Sequence, residues 1–289
     1  MAPLTPPPTA ALTVSPGTLY VVATPIGNLA DASARALEAL RLADIVACED
    51  TRTTRTLLAR HGIERPTLAL HAHNERAAGE KLLSALHAGK SVALVSDAGT
   101  PAVSDPGALL VEAAHRAGVR VVPIPGPSAA VAAYCAAGFA ADRFLFVGFL
   151  PPKAAARRKA LEGLDLPWPV ILYEAPHRVI DCVQDLLECF GGEREIVIAR
   201  ELTKKFEEVA RMTLAAAPAW LQAGAHRQQG EFVLVLGPGS PSRQDEAAVQ
   251  RVLDALLESL PASEAAKLAA RITGAPRNAL YKQALERGK

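Results

Sequence analysis

The stretch Val92-Ala-Leu-Val-Ser-Asp-Ala-Gly-Thr-Pro-Ala-Val-Ser-Asp105 decides the fold. Val92, Leu94 and Val95 make a short apolar run, the mark of a buried strand, and the run breaks at once into Asp97, Gly99, Thr100 and Pro101. A parallel strand delivers a ligand-binding turn in this way, at its C-terminal edge. Pro106 and Gly107 then open a helical pattern with Leu109, Leu110, Ala113 and Ala114, whose first backbone N–H groups have no partner inside the helix. Similar junctions occur at Thr24-Pro-Ile-Gly-Asn28 and Ile124-Pro-Gly-Pro-Ser128. Three such loops predict one pocket with three edges.

Working outward, strand and helix alternate through the first half. Strands are expected over 17–23, 44–48, 67–70 and 119–122, and helices over 51–60 and 80–87, the former ending at Gly62. Asp31 is expected to cap a helix carrying Ala34, Leu37 and Leu40. This alternation predicts a parallel sheet with right-handed crossovers. The second half has more closely spaced strands (144–148, 170–173, 195–199, 208–213 and 232–236) and fewer helices, which argues for a mixed sheet. Gly237-Pro-Gly-Ser-Pro-Ser242 reads as a linker, and three helices follow over 247–260, 263–272 and 276–287. A break at Thr273-Gly274 gives the last two the spacing of a helix-turn-helix, or of a tail that packs on a partner subunit.

Composition sets limits. The chain has 289 residues, half of them apolar but only 4% aromatic, so the core must be aliphatic. A net charge of +1 gives no overall basic field, so any RNA contact must rest on local clusters. Lys153, Arg157, Arg158 and Lys159 form one such cluster at a predicted helix start, either a solvated face or an anion contact. The four cysteines form no Cys-x-x-Cys pair and read as buried free thiols of a reducing cytoplasm, with Cys182 and Cys189 on one helical stripe. No apolar run is long enough to span a membrane. Residues 1–16, rich in Pro, Thr and Ala, read as a disordered tail rather than a signal peptide. His71-Ala-His73 with Glu75 lacks a third ligand at a matching spacing, so no metal is expected.

Eight motifs in order resemble a known family. They are Leu19-Tyr-Val-Val-Ala-Thr-Pro-Ile-Gly-Asn-Leu29, Cys48-Glu-Asp-Thr-Arg52, His73-Asn-Glu75, Val95 to Gly107, Ile124-Pro-Gly-Pro-Ser128, Gly148-Phe-Leu-Pro151, Tyr173-Glu-Ala-Pro-His-Arg178 and Arg200-Glu-Leu-Thr-Lys204. Together they resemble the bacterial small-subunit ribosomal RNA methyltransferases of the tetrapyrrole methylase superfamily. The resemblance implies an α/β, two-domain class III methyltransferase fold. It divides the chain into domains over 17–127 and 128–238 and a helical extension over 243–289. It further implies S-adenosylmethionine as cofactor, a homodimer, and 2′-O-methylation of a cytidine ribose in the decoding region of 16S ribosomal RNA. The donor would be held by Thr24 and Pro25, by Ala98, Gly99, Thr100 and Val103, by Ser128 and Ala129, and by Tyr173 and Glu174.

The superfamily's Gly-x-Gly-x-Gly-Asp loop is replaced by Thr24-Pro-Ile-Gly-Asn28, and its Gly-Gly-Asp-Pro loop by Ala98-Gly-Thr-Pro101. Both departures weigh against a small-molecule methyltransferase of the tetrapyrrole type. A non-catalytic RNA-binding factor on the same fold is the third reading, and it predicts no donor binding.

A ribose hydroxyl is a poor nucleophile until its proton is taken. Asp50, Glu75, His177, Glu201 and Lys204 all fall at predicted strand ends facing the cleft. Glu201 and Lys204 are the favoured acid–base pair, Arg52 and Arg178 are expected to clamp phosphates, and Asp50 and His177 complete the expected substrate side.

Overall fold

A computed structural model describes residues 14–239 and 243–287. The body of the predicted N-terminal tail and residues 240–242 of the predicted linker lie outside the described residues. Residues 14–16, assigned to that tail, are packed instead. Val14 lies against the first core, and the Ser15 N–H donates to the Tyr20 hydroxyl at 2.8 Å.

The first half runs β1 (Thr18–Val22), α1 (Ala34–Leu42), β2 (Ile45–Cys48), α2 (Thr51–Arg60), β3 (Thr67–Ala69), α3 (Glu75–His87), β4 (Val92–Leu94), α4 (Ala108–Arg116) and β5 (Arg120–Ile124). Its five strands are all parallel, in the order β3-β2-β4-β1-β5. Both faces are covered, which is why β1 and β4 are apolar on both sides. Tyr20, Val22, Val46 and Ala93 pack beneath Ala36, Leu40 and Leu57. Leu19, Ala47, Val92 and Leu94 pack beneath Leu82, Leu86 and Leu110. Asp31 does not cap α1: Ser33 does, accepting from the Ala36 N–H at 3.1 Å, while Asp31 ends a single 3-10 turn capped by Asn28. Either residue suits the sequence pattern. The extra turn shifts the helix start by two positions.

The second half runs α5 (Ala129–Ala137), β6 (Leu145–Phe149), α6 (Ala154–Leu161), β7 (Val170–Glu174), α7 (Val179–Phe190), β8 (Glu195–Arg200), β9 (Glu208–Thr213), α8 (Ala217–Gln222) and β10 (Phe232–Leu236). The sheet is mixed, ordered β6-β7-β10-β8-β9. Its β6–β7 pair is parallel, and the other pairs are antiparallel. Helices α6 to α8 cover one face, with Leu161, Cys182, Val183, Leu186 and Leu221 in the core. The Ala-rich α5 covers the other through Ala130, Ala133 and Ala137, whose short side chains let it lie close to the sheet. The helices α9 (Arg243–Leu257), α10 (Ala262–Thr273) and α11 (Arg277–Arg287) share a small core of their own, around Leu253, Ala266, Ala269 and Leu280. Gly274 takes the left-handed conformation at the α10 turn. No helix of the described residues is long and apolar enough to cross a membrane.

At three points the second half departs from the sequence reading. Helix α8 has too short an apolar stripe to be read. Cys189, in the last turn of α7, is exposed although Cys182 in the first turn is buried, and Cys135 is exposed as well. A stripe is buried only where another element faces it. In the basic cluster at α6, Lys153, Arg158 and Lys159 are exposed, as a solvated face requires, but Arg157 is not. Arg157 is 3% exposed and donates through Nε to Asp185 Oδ2 at 2.5 Å, and Arg158 reaches Asp185 Oδ1 at 3.0 Å.

Asp185→Ala would leave the Arg157 guanidinium buried without its carboxylate. A loss of about 3–5 kcal/mol is expected. It should read as a lower urea midpoint at unchanged slope, whereas Glu188→Ala, removing only an exposed partner of Arg158, should change little.

Candidate active site

Three neighbouring strands, β4, β1 and β5, end in the three small-residue loops. The loops are stitched together. The Thr24 N–H donates to the Gly99 carbonyl at 2.8 Å, and the Gly99 N–H donates back to the Thr24 carbonyl at 3.1 Å. The Thr100 hydroxyl donates to the Pro127 carbonyl at 3.0 Å. Gly99 sits at φ +79°, and a Cβ there would lie 3.3 Å from Ile26. Ala102 and Ser104 also take positive φ, 66° and 63°, so the loop is held in a conformation L-residues rarely adopt.

The second sheet closes the space. The Tyr173 hydroxyl, at the end of β7, accepts from the Ala130 N–H at 3.1 Å and so fixes the start of α5. Gly148 in β6 has φ +75°, and a Cβ on it would stand 2.5 Å from Ser104 Oγ, so only glycine lets β6 approach the central loop so closely. The result is a cavity of about 350 Å³ between the two sheets. Its walls are mainly small or apolar: Ile26, Gly99, Val103, Ala129, Phe149 and Pro176 among them.

Three carboxylates line it, and each is muted. Glu174 is fully enclosed and ion-paired to Arg178, with Nη2 donating to Oε2 at 3.2 Å. The Arg178 Nε lies 3.0 Å from Oε1, at an angle that leaves its proton without a hydrogen bond. Glu231 Oε2 takes a hydrogen bond from Lys204 at 2.6 Å. Burial pushes the Asp105 carboxyl above the usual aspartate range.

The expected donor-binding residues divide. Ala98, Gly99, Thr100, Val103, Ser128, Ala129, Tyr173 and Glu174 all line the cavity. Thr24 and Pro25 do not. Thr24 is 2% exposed and holds the Gly99 loop, and Pro25 faces a separate hollow with Leu29, Thr56 and Asp97. Asp105, Phe149, Glu231 and the backbone start of β10 line the cavity without having been expected. Asp105 lay inside the quoted stretch, and Phe149 inside the Gly148-Phe-Leu-Pro motif. Nothing in the sequence around Glu231 or Phe232 marks them.

The charged candidates are mostly committed elsewhere. Glu75, proposed as a base, accepts from the Gly107 and Leu109 N–H groups at 2.9 and 3.1 Å and caps α4. Arg178, expected to clamp phosphate, is spent on Glu174 and on the Leu150 carbonyl at 2.6 Å. Asp50 caps α2 and holds Arg52 through Nη2 at 2.7 Å, and those bonds draw its pKa down to about 2. Arg52 and His177 are both exposed, and both lie outside the cavity lining. Glu201 and Lys204 do come together, at 2.9 Å. Burial works against both charges, yet the bonds between them and to Glu231 prevail. Glu201 is drawn below the usual glutamate range and Lys204 raised above the usual lysine range.

Residues 18–218 match the family described as Tetrapyrrole (Corrin/Porphyrin) Methylases, and residues 243–288 match the RsmI C-terminal HTH domain. Solved structures of the same fold include uroporphyrin-III C-methyl transferase from Thermus thermophilus complexed with S-adenyl homocysteine. It shares a TM-score of 0.55 and 17% identity, covering 76% of this chain and 97% of that one. Diphthine synthase aligns with a TM-score of 0.56 at 19% identity over 76% of this chain and 89% of its own. Fold and cavity together define a methyltransferase of the tetrapyrrole methylase class. Among full-length relatives, ribosomal RNA small subunit methyltransferase I of Pseudomonas aeruginosa is 50% identical, covering 95% of this chain and 99% of the relative. The Escherichia coli O157:H7 protein of that name is 47% identical, covering 94% and 96%. The chain belongs to the ribosomal RNA small subunit methyltransferase I family.

A buried acid with a raised pKa opposes its own ionisation. The folded state therefore has an advantage below the unfolded pKa of Asp105, near pH 4, and loses it as pH rises through the higher folded value. Asp105→Asn should thus melt higher than the native protein at neutral pH, with the difference vanishing on titration to about pH 4. A melting-temperature series against pH checks it.

Proposed function

We propose that the protein transfers a methyl group from S-adenosylmethionine to the ribose 2′-hydroxyl of a cytidine in the decoding region of 16S ribosomal RNA. It would do so in the cytoplasm, on the small ribosomal subunit, as a homodimer. One observation carries the chemistry: a cavity of about 350 Å³ whose walls come from the strand ends of two sheets, with two of its carboxylates, Glu174 and Glu231, ion-paired and the third, Asp105, disfavoured as an anion by burial. That volume lies in the range of roughly 300–1,000 Å³ typical of small-molecule sites. The names of the relatives supply the ribosomal RNA.

The lining suits the cofactor. Ala98, Gly99, Ser128 and Ala129 leave backbone open to a ligand, and Tyr173 and Phe149 offer ring faces. When bound, S-adenosylmethionine supplies an electrophilic methyl on a positively charged sulfur. A bare carboxylate beside that charge would favour the ground state over a transition state in which the charge is being lost. Arg178 and Lys204 prevent this by engaging Glu174 and Glu231, and burial keeps Asp105 toward its neutral form.

Two of the expected base candidates are unsuited to removing the acceptor's proton. Asp50, at about 2, is too weak, and an ionised Lys204 has no lone pair to offer. We therefore read Glu201 and Lys204 as positioning residues that fix the cavity mouth, and we place the rate gain in alignment. Held geometry contributes about 7–11 kcal/mol in favourable cases. Arg52, exposed and bonded to Asp50, is the phosphate contact, with Asp50 orienting it and His177 assigned to the same substrate. The working units are residues 17–127, residues 128–238 and the helices of 243–289. The packing of α5 onto the second sheet supports the first division.

Calorimetric titration with S-adenosylmethionine should show one site per chain, and mass mapping of 16S ribosomal RNA after reaction should show one added methyl on a decoding-region cytidine ribose. Absence of donor binding would leave a non-catalytic factor. A methyl on a base would displace the ribose assignment.

Removal of residues 243–289 should weaken RNA binding by about tenfold or more while leaving donor affinity within about twofold, since those helices have their own core. Equal RNA affinity would return them to a packing role.

A further inference from the structure

Beside the donor cavity lies an open hollow of about 760 Å³. Its walls are the first loop (Gly27 to Ala30), the C-terminal end of α2 (Arg60, His61) and the turn Thr203-Lys204-Lys205. The two halves of the chain meet at its floor, where a Cβ on Gly27 would fall 2.6 Å from Lys204 Cγ and 3.1 Å from Thr203 Oγ1. It adjoins the donor cavity in both walls: Ile26, which precedes Gly27, lines that cavity, and so does Glu231, which accepts from Lys204.

Its chemistry is one-sided. No Asp or Glu lines it. Arg60 and Lys205 are exposed and, among the described residues, have no carboxylate partner, whereas Lys204 is held by two. Two polar atoms of its lining residues, Thr203 Oγ1 and His61 Nε2, are buried with no hydrogen-bond partner. Buried polar atoms without partners are exceptions in folded proteins and call for an explanation. Thr203 is also held at φ +66°, a conformation rare for a β-branched residue. Lys205 rests over the exposed Phe206 ring, 5.4 Å from its centroid, which leaves its charge without a counter-ion. Two cations without carboxylate partners and two unsatisfied polar atoms around a hollow lined by no acid match a phosphate group.

We propose that this hollow seats a backbone phosphate of the RNA strand next to the reacting nucleotide. The inference rests on the RNA reading above and adds the site that sets the strand's register. A polymer suits the hollow better than a free metabolite, because it is too open to enclose a small molecule and phosphates position a strand without reading its sequence. The Leu58 and Ala59 carbonyls at the end of α2 are taken by the N–H groups of His61, Gly62 and Ile63, so the phosphate does not face bare helix carbonyls there.

The test is fluorescence anisotropy of the full-length protein with a labelled single-stranded RNA of the decoding-region sequence, repeated across a salt series. Arg60→Ala and Lys205→Ala should each weaken binding several-fold and reduce the magnitude of the log–log salt slope by about 0.7. Arg60→Lys should keep the slope. Thr203→Val, which keeps shape and charge, should weaken binding with no change of slope. S-adenosylmethionine affinity should stay at the native value in all four, a split that general damage to the fold would not produce. Native slopes in both alanine variants would overturn the phosphate seat while leaving the methyltransferase reading intact. Failure of the native protein both to bind this RNA and to methylate the small ribosomal subunit would overturn both.

Discussion

The pair of backbone hydrogen bonds between Thr24 and Gly99 is the constraint on which the site depends. It joins the loops that leave β1 and β4, two neighbouring parallel strands, just beyond the point where their own pairing ends. Without it, two glycine- and proline-containing loops would each sample many conformations. With it, they form one wall. The third loop is drawn into the same wall because Gly126 lies close under Ala23, where a Cβ would come to 3.0 Å from the alanine methyl, and because Thr100 bonds Pro127. A positive φ at Ala102 and Ser104 costs of order 1–3 kcal/mol each. Such strain persists only where the surroundings over-determine it, and the stitched wall supplies that determination.

The second sheet meets this wall through very few atoms. Gly148 admits Ser104, Tyr173 takes the Ala130 N–H in the first turn of α5 just after the third loop, and Lys204 lies over Gly27. Two of these contacts need a glycine, at 148 and at 27, because a Cβ there would collide with the side chain opposite. The cavity is the space these contacts leave, so its shape is set by the spacing of two sheets rather than by any single motif.

Charge in this protein is used chiefly to hold backbone. Glu75 caps a helix it does not belong to, Arg178 binds a carbonyl of the preceding connection, and Arg157 pairs with Asp185 inside the second core. The carboxylates that reach the cavity are quenched by neighbours or by burial. The arrangement fits a transfer that relies on alignment of its reactants more than on proton removal by a resident base.

The elements themselves were legible in the sequence. Apolar runs such as Phe232 to Leu236 and stripes such as Val179, Cys182, Val183 and Leu186 are local records of what each element must bury. The loop positions Gly99, Thr100, Ser128 and Ala129 were legible too, since a small residue at a strand end announces close approach. Phe149 and Asp105 lay in recognised motifs and were passed over because neither type is tied to a turn. The partners of Glu75, Arg157, Arg178 and Lys204 were not legible. An apolar side chain needs only some apolar neighbour, so its pattern can be read along the chain. A charged side chain needs one particular partner in one geometry. Those partners lie 32 residues away for Glu75 and Gly107, and 28 for Arg157 and Asp185. Strand order and helix packing choose them, so the sequence alone determined the layers and the loops, and only the tertiary structure decided which charges were left to act.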